Sequence, residues 1–437
     1  MRESARIYTA IELLEQCETS WAGARPLPAD IILHHFFKSR RFIGSHDRGA
    51  IAELVYYIIR HRATLSWHME HHRQQGARAM VITALLLHRR LTLADLHNFF
   101  NGEQFSPDKL SPDESSYTKA LSGQPLLHPE MPDHARLNYP QWMEAELQSS
   151  QSDSWKEEVA ALNEEANVDL RVNTLLTTRE ELIAGLKEEK YDAEPTRLSP
   201  LGVRLKTRAP IFTSAYFKRG WFEMQDEGSQ LATLVAPVKP GDKVIDFCAG
   251  AGGKTLALAA LMKNKGRILA WDTSAKRLDQ MKPRLARAKV DNVQRHVLTS
   301  ETDPFIKRHK DSADLVLIDA PCSGCGTWRR NPDLKWRFTE DDLNEVRAKQ
   351  KNILESASRL VKKNGHLLYV TCSLLQSEND KAIEAFLAQQ SKFRVAEPSK
   401  IWSNFSQPIM RQDSLLRLTP LQYGTDGFFA YLLKRCE

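Results

Sequence analysis

Ile51, Leu54, Val55, Ile58 and Ile59 recur at the three-and-four spacing that lines up apolar side chains on one helix face, and Ser45 or Asp47 stands where a cap belongs. Ala5 to Cys17 repeats the pattern, and Val81 to Leu87 is an apolar run closed by a polar turn. Together they predict an all-helical bundle ending near Glu144. Gln148 to Glu164 is polar and charged, suited to a linker or a surface helix. The period then changes. Val168 to Val172 reads as a strand, Thr178 to Lys187 as a helix after a TTREE start signal, and Gly202 to Lys206 as a second strand, which makes a small α/β module. From Lys239 onward, KVIDFCAG, RILAWDTS, ADLVLIDAP and HLLYVTCS alternate with helical stretches, the signature of a doubly wound parallel sheet. The domain division this implies is 1–145, 146–235 and 236–437.

At 437 residues the chain exceeds what one hydrophobic core usually serves. Its 42% hydrophobic and 27% charged residues are ordinary for a globular protein. No run of about 18 apolar residues exists and the N-terminus is charged and amphipathic, so a soluble cytoplasmic protein without membrane contact is expected. The formal charge of +6 is compatible with a polyanionic partner. Arg40, Arg41, Arg48, Arg60, His61 and Arg62 cluster around one predicted helix, where a solvated face and an RNA-facing surface both stay open. The six cysteines are too sparse for a disulfide scaffold, so reduced thiols are the default.

The chemistry concentrates at strand ends. Val244 to Thr255 is a buried strand running into the turn Cys248, Ala249, Gly250, Ala251, Gly252, Gly253, which opens a helix at Lys254. Glycines there let a ligand approach the backbone, although a tight structural turn would read alike. The next strand ends in Asp272, roughly twenty residues on, where an acidic side chain accepts from ribose hydroxyls. A nucleoside-containing cofactor follows. GGKT mimics a phosphate loop, but Cys248 occupies the position of the first glycine that motif requires. A third strand delivers Asp319 and Cys322, and a fourth ends in Cys372. Cys248 by itself reads as a small buried apolar residue. Cys322 and Cys325 form a C-x-x-C pair, yet no second paired cluster completes a zinc site, and no metal is expected.

DFCAGAGGKT, DAPCSG followed by RRNPDLKW, TCSLLQSEN and the upstream QDEGSQ resemble the signature blocks of the Nop/Sun class of RNA cytosine-5 methyltransferases, and within it the RsmB-type enzymes of small-subunit ribosomal RNA. RRFIGSHDRGAIAELVYYIIR resembles the NusB-like helical domain of those enzymes. The resemblance implies a Rossmann-like class I methyltransferase domain behind an all-α NusB-like RNA-binding domain and a small α/β module. It implies S-adenosylmethionine as cofactor, held by Cys248 to Lys254, Asp272 and Asp319. Cys372 would attack cytosine C6, Asp319 would read the base edge, Cys322 would assist loss of the C5 proton, and Lys254 would orient cofactor or chemistry, or else be a solvated helix-start lysine. The family's acidic residue after the third strand is replaced near Thr299 and Ser300, and Cys325 stands where a small hydroxyl is usual. RNA is expected along a basic rim of Arg329, Arg330, Lys335 and Arg337 interleaved with Trp328 and Trp336, unless both tryptophans are core residues. The rival readings are a DNA methyltransferase with its nucleophile in the proline-cysteine block, a non-catalytic RNA-binding assembly factor and a nucleotide-binding switch.

Overall fold

The computed structural model describes residues 1–396 and 415–436. Two compact units emerge. The first comprises Met1–Gln148, Asp153–Glu164 and Trp328–Glu340, and the second takes the rest of the described chain.

The first unit is helical. Helices Glu3–Trp21, Ser45–Arg60 and Gly76–Leu87 bury the apolar faces foreseen above, with Ile7, Leu14, Leu54, Ile58, Val81 and Leu85 in one core. Neither Ser45 nor Asp47 caps its helix, because Gly44 occupies the cap and the Asp47 carboxylate instead accepts from Arg6 Nε at 2.8 Å and from the N-terminal amine. Of the two readings of the 148–164 stretch, linker or surface helix, part of it takes the second, as helix Trp155–Ala161 in this unit.

The expected RNA rim is corrected here. Trp328, Arg329 and Lys335 are 2%, 5% and 1% exposed, and their segment is part of the helical unit. Trp336 donates from Nε1 to the Ile59 carbonyl at 2.6 Å, Arg337 pairs with Asp333 at 2.7 Å, and Lys335 bonds Asn163. Burial drives the Lys335 ammonium well below its ordinary range. Lys335 and Arg337, which suggested phosphate contacts, bond internal partners, Trp328 is buried, and Trp336 packs partly buried against the helical core. The earlier basic cluster divides likewise: Arg60 is buried and donates to the Glu164 and Arg329 carbonyls, and burial pulls His61 down to about 4. Arg62 pairs with Glu18 and Arg40 with Glu12, whereas Arg41 is exposed.

The second unit opens with a four-stranded antiparallel sheet of β1 (Val168–Val172), β2 (Ala193–Pro195), β3 (Gly202–Leu205) and β4 (Phe222–Met224), in the order β2-β3-β1-β4. Helix Arg179–Glu188, started by a capping box between Thr178 and Glu181, lays Leu182 and Leu186 on Leu170, Val203 and Phe222.

The larger sheet uses β5 (Lys243–Asp246), β6 (Arg267–Asp272), β7 (Val293–Val297), β8 (Ala313–Asp319), β9 (Val361–Thr371), β10 (Phe393–Val395), β11 (Leu415–Leu418) and β12 (Phe428–Arg435). Its order is β10-β12-β9-β8-β5-β6-β7, with β11 on β12. The strands from β7 to β9 are parallel, as expected, and the chain is Rossmann-like. The sheet departs from all-parallel at one edge, where β12 pairs antiparallel with β9, β10 and β11. Apolar runs such as FFAYLL carry no sign of strand direction, since a buried strand looks the same either way. From β5 the chain runs outward to β6 and β7 and then crosses back to β8 on the other side, a reversal of strand order that opens a crevice at the carboxyl ends of the strands. No helix among the described residues is long and apolar enough to cross a membrane.

Candidate active site

The glycine turn is built by the sheet beneath it. Phe247 N–H donates to the Leu317 carbonyl and Ala249 N–H to Trp271, which continue the pairing of β5 past its last residue. Gly250 then turns left-handed at φ +54° and Gly252 at +89°, a region costly for a side-chain-bearing residue. A Cβ at Gly252 would lie 2.5 Å from Met281 Cγ, so packing and backbone both require glycine there. Asp272, at the end of β6, accepts the Gly250 N–H on Oδ2 and the Ser274 N–H on Oδ1, each at 2.8 Å.

A second layer grips the turn from behind. Arg284 Nη1 donates to the Ala251 carbonyl at 2.6 Å and Arg171 Nη1 to the Gly253 carbonyl at 2.8 Å. Glu223 on β4 pairs with Arg284 and Arg287, and Arg171 also bonds Gln225. None of this clamp was read from the sequence.

Beside the turn lies a cleft of about 340 Å³, lined among others by Cys248, Asp272, Leu298, Asp319, Cys322 and Cys372. All four strand ends singled out from the sequence therefore meet at one place. Lys254, only 7% exposed, lies 2.7 Å from Asp319 Oδ1, so it is not a solvated helix-start lysine. Its ammonium holds the Asp319 carboxylate at the cleft wall. Cys322 and Cys372, fifty residues apart, bring their sulfurs to 3.4 Å. Contact with Cys372 and burial together push the Cys322 thiol well above its ordinary range, and either sulfur can donate to the other.

Behind the sulfurs sit residues that sequence reading quoted but gave no role. Glu378 and Asn379, from the TCSLLQSEN block, are fully buried. Asn379 accepts from Thr371 Oγ1 at 2.6 Å and donates to the Ser373 carbonyl at 2.9 Å, which fixes the turn after Cys372. Cys325 is fully buried as well, and its sulfur accepts the Leu374 N–H at 3.1 Å. Burial pushes this thiol up to about 11, and its sulfur serves as a structural acceptor. Among the described residues no cluster of three or more His, Cys, Asp or Glu is arranged to hold a metal. Near the departure at Thr299, the Thr299 N–H and hydroxyl both bond Asp303 at 2.7 Å, and Glu301 lines the cleft. An acidic group, Glu301, is thus present at the cleft two residues beyond Thr299.

A family profile described as 16S rRNA methyltransferase RsmB/F matches residues 232–434, and one described as Methyltr_RsmF/B-like, ferredoxin-like domain matches 139–212. Ribosomal RNA small subunit methyltransferase B of Shewanella oneidensis is 32% identical over 68% of this chain and 67% of its own length. The chain belongs to the RsmB/F family. The namesake protein of Photorhabdus laumondii is also 32% identical, over 68% of this chain and 66% of its own length, so the chain spans just under two thirds of that relative. Among solved structures, PH0851 matches across 100% of this chain and 99% of its own at 26% identity, with a TM-score of 0.80. A methyltransferase homolog from Pyrococcus horikoshii matches 71% of this chain and 100% of its own at 26% identity, with a TM-score of 0.59.

The cofactor of the family is S-adenosylmethionine, and the residues present fit it. Asp272 has used one acceptor site on each oxygen for the turn, and a carboxylate offers about four, so two remain for ribose hydroxyls.

Proposed function

We propose that this chain methylates C5 of a cytosine in small-subunit ribosomal RNA, with Cys372 forming a transient bond to C6 of the ring. The observation that carries this reading is the 3.4 Å approach of the Cys322 and Cys372 sulfurs in a cleft shared with Asp319 and Asp272.

C5 of cytosine is a poor nucleophile. A thiolate adding to C6 converts the ring into an enamine whose C5 carries the electron density needed to take a methyl group. The position of Cys372 in the cleft, its sulfur beside that of Cys322, supports this role. Asp319, oriented by Lys254, meets the amino and N3 edge of the base, where charge develops as the thiolate adds. Bound S-adenosylmethionine supplies an electrophilic methyl group, and the turn from Cys248 to Lys254 with Asp272 would hold it in the cleft. A base then takes the C5 proton, the role assigned to Cys322 in its thiolate form, and the C5–H electron pair restores the aromatic ring as the sulfur–C6 bond breaks and Cys372 leaves as a thiolate. The target base must be unpaired or flipped, because a stacked ring hides its C6 face.

The test is incubation with ribosomal RNA from cells lacking the gene, followed by bisulfite mapping. Wild type is expected to introduce one new 5-methylcytosine, Cys372→Ala none, and Cys322→Ala a covalent protein–RNA adduct that accumulates. Methylation by Cys372→Ala at the wild-type rate would overturn the mechanism. Adduct formation through Cys322 instead of Cys372 would point to the DNA-type arrangement of the same chemistry.

A further inference from the structure

Glu378 ties together the two loops that carry the cysteines. Its Oε1 accepts the Ser323 N–H at 2.8 Å and the Gln350 amide at 3.0 Å. Its Oε2 accepts the Ser323 hydroxyl at 2.5 Å and the Ser373 hydroxyl. Ser323 directly follows Cys322, and Ser373 directly follows Cys372. Gln350 also donates to the carbonyl of Pro321 at 2.9 Å, so the residues on both sides of Cys322 are gripped through one carboxylate. Four donors fill the four acceptor sites that a carboxylate offers. The group is fully buried, so a donor that loses it finds no water to take its place.

We infer that Glu378 is a positioning residue: its carboxylate sets the separation of Cys322 and Cys372 by locking the two loops behind them. Its consequence for catalysis rests on the two-cysteine reading above, whereas the geometry itself does not. A side chain with an acceptor oxygen is required because two of the four partners, the Ser323 N–H and the Gln350 NH₂, can only donate. Glutamine would keep those two bonds on its oxygen and turn its NH₂ toward the two hydroxyls, which can rotate to accept. Alanine removes all four.

Disulfide trapping reads this separation without any methyl transfer. The full-length chain is treated with diamide, whose azo group takes two electrons and two protons from a thiol pair, giving one disulfide and the hydrazine. The Cys322–Cys372 link is followed over time by mass spectrometry, with C322A as the blank. The sulfurs must close from 3.4 Å to about 2.05 Å, so the rate reports how well the loops hold them together. E378A is expected to slow trapping at least tenfold, and E378Q to stay within threefold of wild type. S-adenosylmethionine affinity within twofold of wild type verifies the fold; where E378A fails that control, S323A/S373A removes both hydroxyl bonds and is expected to slow trapping at least threefold. Wild-type trapping in E378A, or in the double variant used in its place, overturns the proposal, as does E378Q trapping as slowly as E378A. The two readings fail separately. Unslowed trapping removes the positioning role and leaves the cytosine chemistry standing, while methylation by C372A removes the chemistry and leaves the positioning role standing.

Discussion

Glu223→Ala should weaken the protein in two measurable ways. Glu223 is 6% exposed and receives Arg284 at 2.9 Å and Arg287 on its other oxygen. It also offsets part of the burial that draws the Arg171 guanidinium down to about 10. Removing one partner of a buried ion pair costs about 3–5 kcal/mol, because the remaining charge keeps its desolvation penalty without compensation. Arg284 and Arg287 retain 23% and 20% exposure, so water relieves part of this and the lower end, about 3 kcal/mol, is expected. The second effect falls on the cofactor turn. Arg284 is aimed at the Ala251 carbonyl by its bond to Glu223, and losing one charge-assisted hydrogen bond of about 1.5 kcal/mol corresponds to roughly tenfold in affinity. Urea denaturation of wild type and variant measures the first quantity, and calorimetric titration with S-adenosylmethionine the second. Replacing Glu223, Arg284 and Arg287 together by Met should restore part of the stability, since Arg284 and Arg287 no longer leave unpaired charges while the Arg171 guanidinium stays buried without Glu223, but not the affinity. A stability change under about 0.5 kcal/mol in Glu223→Ala, typical of an ordinary surface position, would refute the clamp.

Two further outcomes follow from the same turn. Gly252→Ala places a side chain at φ +89° and 2.5 Å from Met281 Cγ, so cofactor affinity should fall at least tenfold by calorimetry, and an unchanged value would mean the turn is free to relax. Asp246, fully buried with Oδ2 on Thr255 and its other oxygen without a hydrogen-bond partner among the described residues, has its carboxyl pushed up to about 7 by burial. The folded chain holds a proton there that the unfolded chain releases near pH 4, so this group's stabilising contribution is complete below pH 4 and lost as pH rises to 7, by about 4 kcal/mol. Asp246→Asn cannot titrate and should therefore gain on wild type between pH 5 and pH 8 in urea denaturation. Parallel stability curves for the two proteins would contradict this.

Much of the site was legible because its chemistry sits on short local patterns. An apolar run followed by glycines declares a strand and a turn, and Asp272, Asp319, Cys322 and Cys372 each end such a run. Strand ends in a parallel sheet share one edge, so their convergence follows from alternation alone. The helical periodicity of residues 5–17 and 51–59 likewise reports burial, because an apolar stripe must be covered.

What the sequence by itself determined, then, was which residues face inward and which strand ends carry reactive groups, since both depend only on neighbours a few positions away. Tertiary structure decided the pairings across long separations. Local pattern did not show that Trp328 to Glu340 leaves the sheet unit for the helical one, because a tryptophan flanked by arginines looks the same on an RNA surface as in a core. Nor did it show that Glu378 collects donors from Ser323, Gln350 and Ser373, or that Glu223 sits behind the cofactor turn. A buried charge is tolerated only where distant partners neutralise or hydrogen-bond it, and those partners are chosen by the fold.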